Sequence, residues 1–282
     1  MQARWELALK TRHGEFMTKT SSLVSRTIIG FVVPVGLMAA WELGAIAGAI
    51  DAVYFPPPSE IVVRSVELLI DGQLAFHLSQ TLIRLGVGFG FGASVGYLAG
   101  LVLGLFRGPR QVFEPFLSAL YTVPKIALLP VFFALFGLGS PPLIALVAVS
   151  VFFYVWVYTM DALLNLPKTY FDVSTAIGVS WKTLLTKVVI PGTAVNVLSG
   201  LRVAIAVATL VTIAAEFIVA QDGVGYLILN SRALFRISDS FAGILVAGFL
   251  GFTLQMVIKR IGRLLIPWAD TRQPSSMPEF RG

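Results

Sequence analysis

Residues 167–192 read PKTYFDVSTAIGVSWKTLLTKVVIPG, a half-polar stretch set between two long apolar runs. It carries Lys168, Asp172, Lys182 and Lys187, more charge than a segment inside hydrocarbon tolerates. Its punctuation predicts two short helices and a corner. Pro167 suits the first turn of a helix, and Asp172 sits near that helix's positive end. Gly178 ends it, because glycine takes left-handed dihedrals readily. A second helix follows from about Ser180, with Trp181, Leu184, Leu185 and Val188 on one side and Lys182 and Lys187 toward solvent. Pro191 is read as stopping that helix and starting the next apolar run.

The chain is 56% hydrophobic and only 13% charged, too little charge to cover a water-soluble domain of 282 residues. The apolar residues fall in blocks longer than the roughly 18 residues needed to cross hydrocarbon. The fold class is therefore all-α integral membrane protein, with about six spans near residues 27–50, 79–106, 112–136, 143–164, 193–220 and 241–266. Residues 1–26 and 267–282 flank this transmembrane region. The net charge of +6 reflects membrane topology rather than nucleic-acid binding, because the cations are distributed by side. With the N-terminus inside, the inner segments hold Arg4, Lys10, Arg12, Lys19, Arg26, Arg107, Arg110, Lys168, Lys182, Lys187, Lys259, Arg260, Arg263, Arg272 and Arg281. The outer ones hold Arg64, Arg232 and Arg236. Both termini are expected in the cytoplasm, and residues 167–192 with them.

The "AIA" at residues 45–47 resembles a leader cleavage site, but a long polar stretch precedes the apolar core and Trp41 and Glu42 interrupt it. The segment is read as the first span. In FPPPSEIVVRSVELLIDG, residues 55–72, three prolines stop any helix and Ser59 can cap a new, amphipathic one on the outer surface. The tail from Asp270 is rich in Pro, Ser and charge and is expected to be disordered. In the second span, Gly88, Gly92, Gly96, Gly100 and Gly104 repeat every four residues, a small-residue groove for close helix packing.

Glu42, Arg84, Lys125, Arg202 and Glu216 lie at membrane depth, where each needs a partner, water or an escape to the interface. Arg84 and Arg202 stand near span ends and are read as reaching the interface. Lys125 is bracketed by Pro124 and Pro130 in YTVPKIALLP, and broken backbone in a membrane belongs where it lines protein or a water-filled path. Lys125 and Tyr121 are thus candidates for a substrate pathway. Glu216 is a third, either as the carboxylate of Lys125 or as an interfacial residue. No cysteine is present, His13 and His77 stand apart, and GVSWKT lacks the glycines of a phosphate-binding loop. No catalytic residues, metal site or bound cofactor are expected. On these residues alone, a channel or a carrier driven by an ion gradient stays open.

DVSTAIGVSWKTLLTKVVIP resembles the cytoplasmic EAA loop of ATP-binding cassette importer permeases, with Gly178 and Pro191 thirteen apart as in that pattern. Asp172, Val173 and Ser174 stand where the pattern has Glu-Ala-Ala. FPPPSEIV, YTVPKIALLPVFFALFGLG, LSGLRVAIAVA, AEFIVAQDGVGYLIL and FAGILVAGFLG extend the likeness over residues 55–267, toward the nitrate, aliphatic sulfonate and taurine group. The resemblance implies a type I (MetI-like) importer permease in a bacterial inner membrane, with a cytoplasmic coupling helix. Tyr170, Asp172, Ser174, Ala176 and Gly178 would contact the ATPase. It implies a second permease copy, two ATPase subunits that use ATP and Mg, and an extracytoplasmic binding protein touching the connector after Ala220. The substrate would be a small anion, or else a vitamin-like heterocycle or aromatic carboxylate.

Overall fold

The computed structural model describes residues 32–268; residues 1–31 and 269–282, with most of the tail expected to be disordered, lie outside the described residues. The chain divides into two units, residues 1–64 and 65–282. In the first, α1 covers Val32–Ile46 and α2 begins at Pro58. The Glu42 carboxylate accepts the Ser59 N–H at 3.0 Å and the Ser59 hydroxyl at 2.6 Å. Ser59 therefore does not cap α2 as its sequence suggests. It lies inside the first turn, and Glu42 accepts the amide instead, which also gives this carboxylate its partner. α2 runs on to Ile70.

The second unit continues with α3 (Gln73–Leu105), α4 (Arg107–Tyr121), a 3₁₀ turn (Lys125–Leu128), α5 (Leu129–Phe136) and α6 (Ser140–Leu164). Then come α7 (Lys168–Ala176), α8 (Trp181–Leu184), a π turn (Leu185–Val189), α9 (Ile190–Val219), α10 (Val224–Ala233) and α11 (Ile237–Leu265). Among the described residues, four helices are long and apolar enough to cross a membrane, or five if the broken pair α4 and 125–136 counts as one. One of the expected spans is broken. The third expected span is bent by 96° after Tyr121, because Pro124 supplies no N–H and drives its predecessor out of helical dihedrals. The first expected span begins in residues outside the described ones, and its described part is α1.

Pro191 does not stop a helix. The helix from Trp181 runs through to Val219 as one span of 39 residues. The π turn that ends at Val189, two residues before the proline, explains this: a widened turn relieves the clash between the ring and the carbonyl four residues earlier.

α6 is apolar all round and is the buried centre of the unit, with α3 and α9 along it. Val147, Val151 and Val155 of α6 pack with Ala204 and Ala208 of α9. The glycine repeat of α3 faces α6. A Cβ on Gly88 would lie 2.7 Å from that of Val147, and one on Gly96 2.6 Å from the Phe152 carbonyl. On Gly100 it would meet Thr159 at 2.5 Å and on Gly104 Leu163 at 2.6 Å, while on Gly92 it would overlap the Ala148 carbonyl. The backbones of α3 and α6 thus touch. One end of the unit gathers the C-terminal ends of α3, α6 and α11 with α7, α8 and the start of α9. It carries exposed Arg107, Lys168, Lys182, Lys187, Lys259, Arg260 and Arg263. We call it the basic end.

Gly92→Leu should lower stability by about 3 kcal/mol or more, since a backbone carbonyl cannot yield as a side chain does. Gly90 has open space around it, so Gly90→Ala should gain up to about 1 kcal/mol from helix propensity. Thermal unfolding of the two variants in detergent checks the pair.

Candidate functional site

At the end opposite the basic one, the chain builds a buried polar cluster. Arg84 on α3 is 3% exposed and its guanidinium is fully engaged. Nε donates to the Ser140 hydroxyl at 3.1 Å, and one terminal nitrogen donates to Glu216 and to the Asp222 carbonyl, both at 2.9 Å. The other terminal nitrogen pairs with the Asp222 carboxylate. Glu216, near the end of α9, is 1% exposed. Its carboxylate also accepts the Thr81 hydroxyl at 2.9 Å and the Gly225 N–H at 2.9 Å. Thr81 accepts the Val224 N–H at 2.8 Å, and Nδ1 of His77 accepts the Gly223 N–H at 3.1 Å.

These three amides open α10, so a carboxylate, a hydroxyl and an imidazole satisfy the positive end of that helix inside the protein. The glycines of DGVG make room: a Cβ on Gly225 would lie 2.6 Å from that of Glu216, and Gly223 has φ +106°. A polar cavity of about 420 Å³ opens beside the cluster, lined in part by Arg84, Ser140, Gln221 and Asp222. Arg84 does not reach for the interface, and Glu216 is not the carboxylate of Lys125. Each answers the other because a charge in an apolar bundle is tolerable only when paired. Sequence reading missed this cluster. Its one visible signal was the pair of glycines, two residues apart, shortly after an intramembrane carboxylate.

Lys125 has other partners. Its ammonium donates to the carbonyls of Leu120 at 3.1 Å, Tyr121 at 2.7 Å and Val123 at 2.8 Å. It also lies over the rings of Phe153 (4.6 Å) and Tyr121 (5.5 Å). A cation thus caps the negative end of α4 where Pro124 breaks the chain. Tyr121 is packed edge-on against Tyr154 at 5.7 Å. The structure therefore brings Lys125 and Tyr121 together, and leaves Glu216 with Arg84.

At the basic end, α7 closes on Gly178, at φ +70°. Val179 N–H bonds the Ser174 carbonyl at 2.9 Å and Gly178 N–H that of Thr175 at 3.1 Å. This is the double bond pattern of a helix ended by a left-handed residue. Ser180 accepts the Thr183 N–H and caps α8. Tyr170, Asp172, Ala176 and Gly178 are exposed, as are the apolar side chains of Val173 and Ile177. Ser174 is the exception. It is 7% exposed and its hydroxyl is spent on the Tyr170 carbonyl at 2.7 Å, so it cannot offer a contact surface.

Residues 92–271 match the family model described as binding-protein-dependent transport system inner membrane component. The chain belongs to this family. It is a multi-pass membrane protein and a permease subunit of an ATP-binding cassette importer, a transport component rather than an enzyme. Such subunits work with ATPase subunits and a substrate-binding protein. It is 29% identical over 242 residues to the putative aliphatic sulfonates transport permease protein SsuC of Bacillus subtilis, covering 86% of this chain and 88% of that one. It is also 29% identical to the formylaminopyrimidine transport permease protein ThiX of Halalkalibacterium halodurans, over 82% of this chain and 92% of the relative. In fold it resembles an inward-facing form of the MetNI methionine ABC transporter. That match has a TM-score of 0.62 and 16% identity, over 70% of this chain and 97% of the other.

Removing Arg84 should cost about 3–5 kcal/mol, because Glu216 is then buried without a cation, and removing Glu216 should cost less, because Arg84 keeps the Asp222 carboxylate. Arg84→Met should show the larger loss in denaturant unfolding and Glu216→Leu the smaller. The double variant should recover a large part of the larger loss; strict additivity of the two losses would show that the charges are not coupled.

Proposed function

We propose that this chain carries a small organic anion, of sulfonate type, across a bacterial inner membrane as one of two identical permease subunits. ATP and Mg are bound and hydrolysed in two separate ATPase subunits, and the basic end faces them in the cytoplasm, as the positive-inside rule favours. Both termini lie on that side. The observation that carries the reading is the elbow of α7 and α8. Tyr170, Val173 and Ile177 leave an apolar surface open to solvent beside Asp172, with no extensive packing partner among the described helices. Such a surface on a short helix outside the bilayer suits a groove on another protein. Closure of the ATPases would move this helix, and with it the spans on either side, by rigid-body rocking.

The substrate class rests on Lys125. Its charge stands at membrane depth with no carboxylate bonded to it among the described residues, and Tyr121 and Tyr154 supply phenolic donors close by. That surface favours an anion. The sulfonate named for the Bacillus subtilis relative agrees with it; the pyrimidine named for the other shows that this scaffold serves other cargo too.

A cysteine at Val173 should crosslink to an ATPase subunit in working membranes, and one at buried Ser174 should not. Gly178→Val forces a β-branched residue into left-handed dihedrals; uptake should collapse while ATP hydrolysis persists. Lys125→Gln keeps donors for the α4 carbonyls but loses the charge. It should raise the KM for an anionic substrate roughly tenfold, equivalent to ~1.4 kcal/mol, with little effect on a neutral one. Equal effects on both would remove the anion assignment.

A further inference from the structure

Arg202 lies deep in α9. On that continuous helix it stands fifteen residues from Lys187 and fourteen from Glu216, so about 21 Å of helical rise or more separates it from either. That is mid-span, too deep for the escape to an interface expected of it. Gly200 meets Tyr158, and Ala204 and Ala208 pack on Val151 and Val155. Arg202 is thus level with residues 151–158 of α6, the stretch in which Phe153 lies under the Lys125 ammonium. Two cations share one depth.

Their bonding differs. Lys125 spends its ammonium on three backbone carbonyls. Arg202 forms no ion pair and no hydrogen bond among the described residues, and its Nε is buried without an acceptor. A lone cation at that depth costs about 2.5–3.5 kcal/mol unless water or an anion reaches it. Where this fold uses a cation to fix helices, at Arg84, it supplies two carboxylates and a hydroxyl. It supplies none to Arg202.

Two polar side chains lead to it. Asn196, exposed, and Ser199, half-buried, precede half-buried Arg202 at intervals of three residues. Residues three apart are neighbours on a helix surface, so the three form one continuous stripe. It starts nine residues from Lys187, on the side of the basic end, and climbs to mid-span. Polar groups in a membrane belong against protein or a water-filled cavity, and this stripe has no protein partner for its cation.

We propose that Asn196, Ser199 and Arg202 line the cytoplasmic half of the translocation path, and that Arg202 is the mid-membrane contact for the anionic group of the cargo. The inference rests on the importer reading with an anionic cargo, and adds to Lys125 a cation whose donors are unspent. A guanidinium presents paired N–H donors that match two oxygens of a sulfonate or carboxylate.

The chain has no cysteine, so one placed at Ser199 is the single thiol of this subunit. The full transporter carrying Ser199→Cys is treated in liposomes with two methanethiosulfonate reagents, one bearing an ethylsulfonate and one an ethyltrimethylammonium group. Modification of this subunit is followed by mass. Both reagents should react, the anionic one faster. Adding Arg202→Gln should lower the ratio of anionic to cationic rate at least tenfold, the scale on which a charged cleft concentrates a counterion. Arg202→Lys should keep most of that ratio, which separates loss of charge from loss of fold. Silence toward both reagents would overturn the path, and a disulfide between two copies in place of modification would make the stripe a subunit interface instead. A ratio unchanged by Arg202→Gln would overturn the anion contact. A wild-type transporter that shows no ATP-driven uptake of ethanesulfonate would strike at the cargo reading, which the two reagent rates do not measure.

Discussion

Arg84 and Glu216 meet at 2.9 Å inside an apolar bundle, where Glu216 has no other cation and Arg84 has Asp222 as its second carboxylate. A buried pair of this kind is weak evidence for stability, because well-packed apolar residues often do as well. Its effect is on arrangement. Arg84 bonds groups on the first turn of α6, at the end of α9 and in the link to α10, so one guanidinium fixes the relative register of all of them. Thr81 and His77, also on α3, add the first amides of α10. The small helix α10 has little amphipathic character to hold it. It is placed by polar bonds at its start and, through the Ser240 hydroxyl on the Ile228 carbonyl, by the first turn of α11.

Two prolines show how context decides what a breaker does. Pro124 follows the end of α4, and the backbone there has nowhere to widen; the chain turns by 96° and Lys125 folds back over the freed carbonyls. Pro191 falls two residues after the end of a π turn inside a continuous helix, where the widened turn absorbs its bulk. A local sequence rule treats both as stops. The difference lies in whether the preceding turn can accept an extra residue, and nothing in the neighbouring letters declares that.

Much of the architecture was nonetheless legible. Apolar blocks of spanning length mark α3, α6, α9 and α11, because hydrocarbon demands a continuous helix wherever the chain crosses. The elbow was readable down to Gly178 and Ser180, since turn and cap chemistry is local. The clamp was not. Arg84 and Glu216 are 132 residues apart, and a single charge near a span end looks the same whether it pairs or reaches for the interface. Ser174 was misplaced for a related reason: a short helix of mixed composition does not announce which of its faces is covered.

Stiffness is distributed unevenly through the unit, and that matters for how it could move. α3 and α6 approach backbone to backbone at Gly92 and Gly96, and at Gly88, Gly100 and Gly104 the groove is filled by the side chains of Val147, Thr159 and Leu163. Packed interfaces of this sort shift as bodies rather than deform. The hydrogen-bond ladder changes pitch or stops elsewhere: at the Gly178 corner, the π turn before Pro191 and the break at Pro124. The Arg84 cluster can be rearranged only by exchanging hydrogen bonds one for another. A bundle built in this way has few intermediate positions available to it, which is the physical requirement for switching between two states.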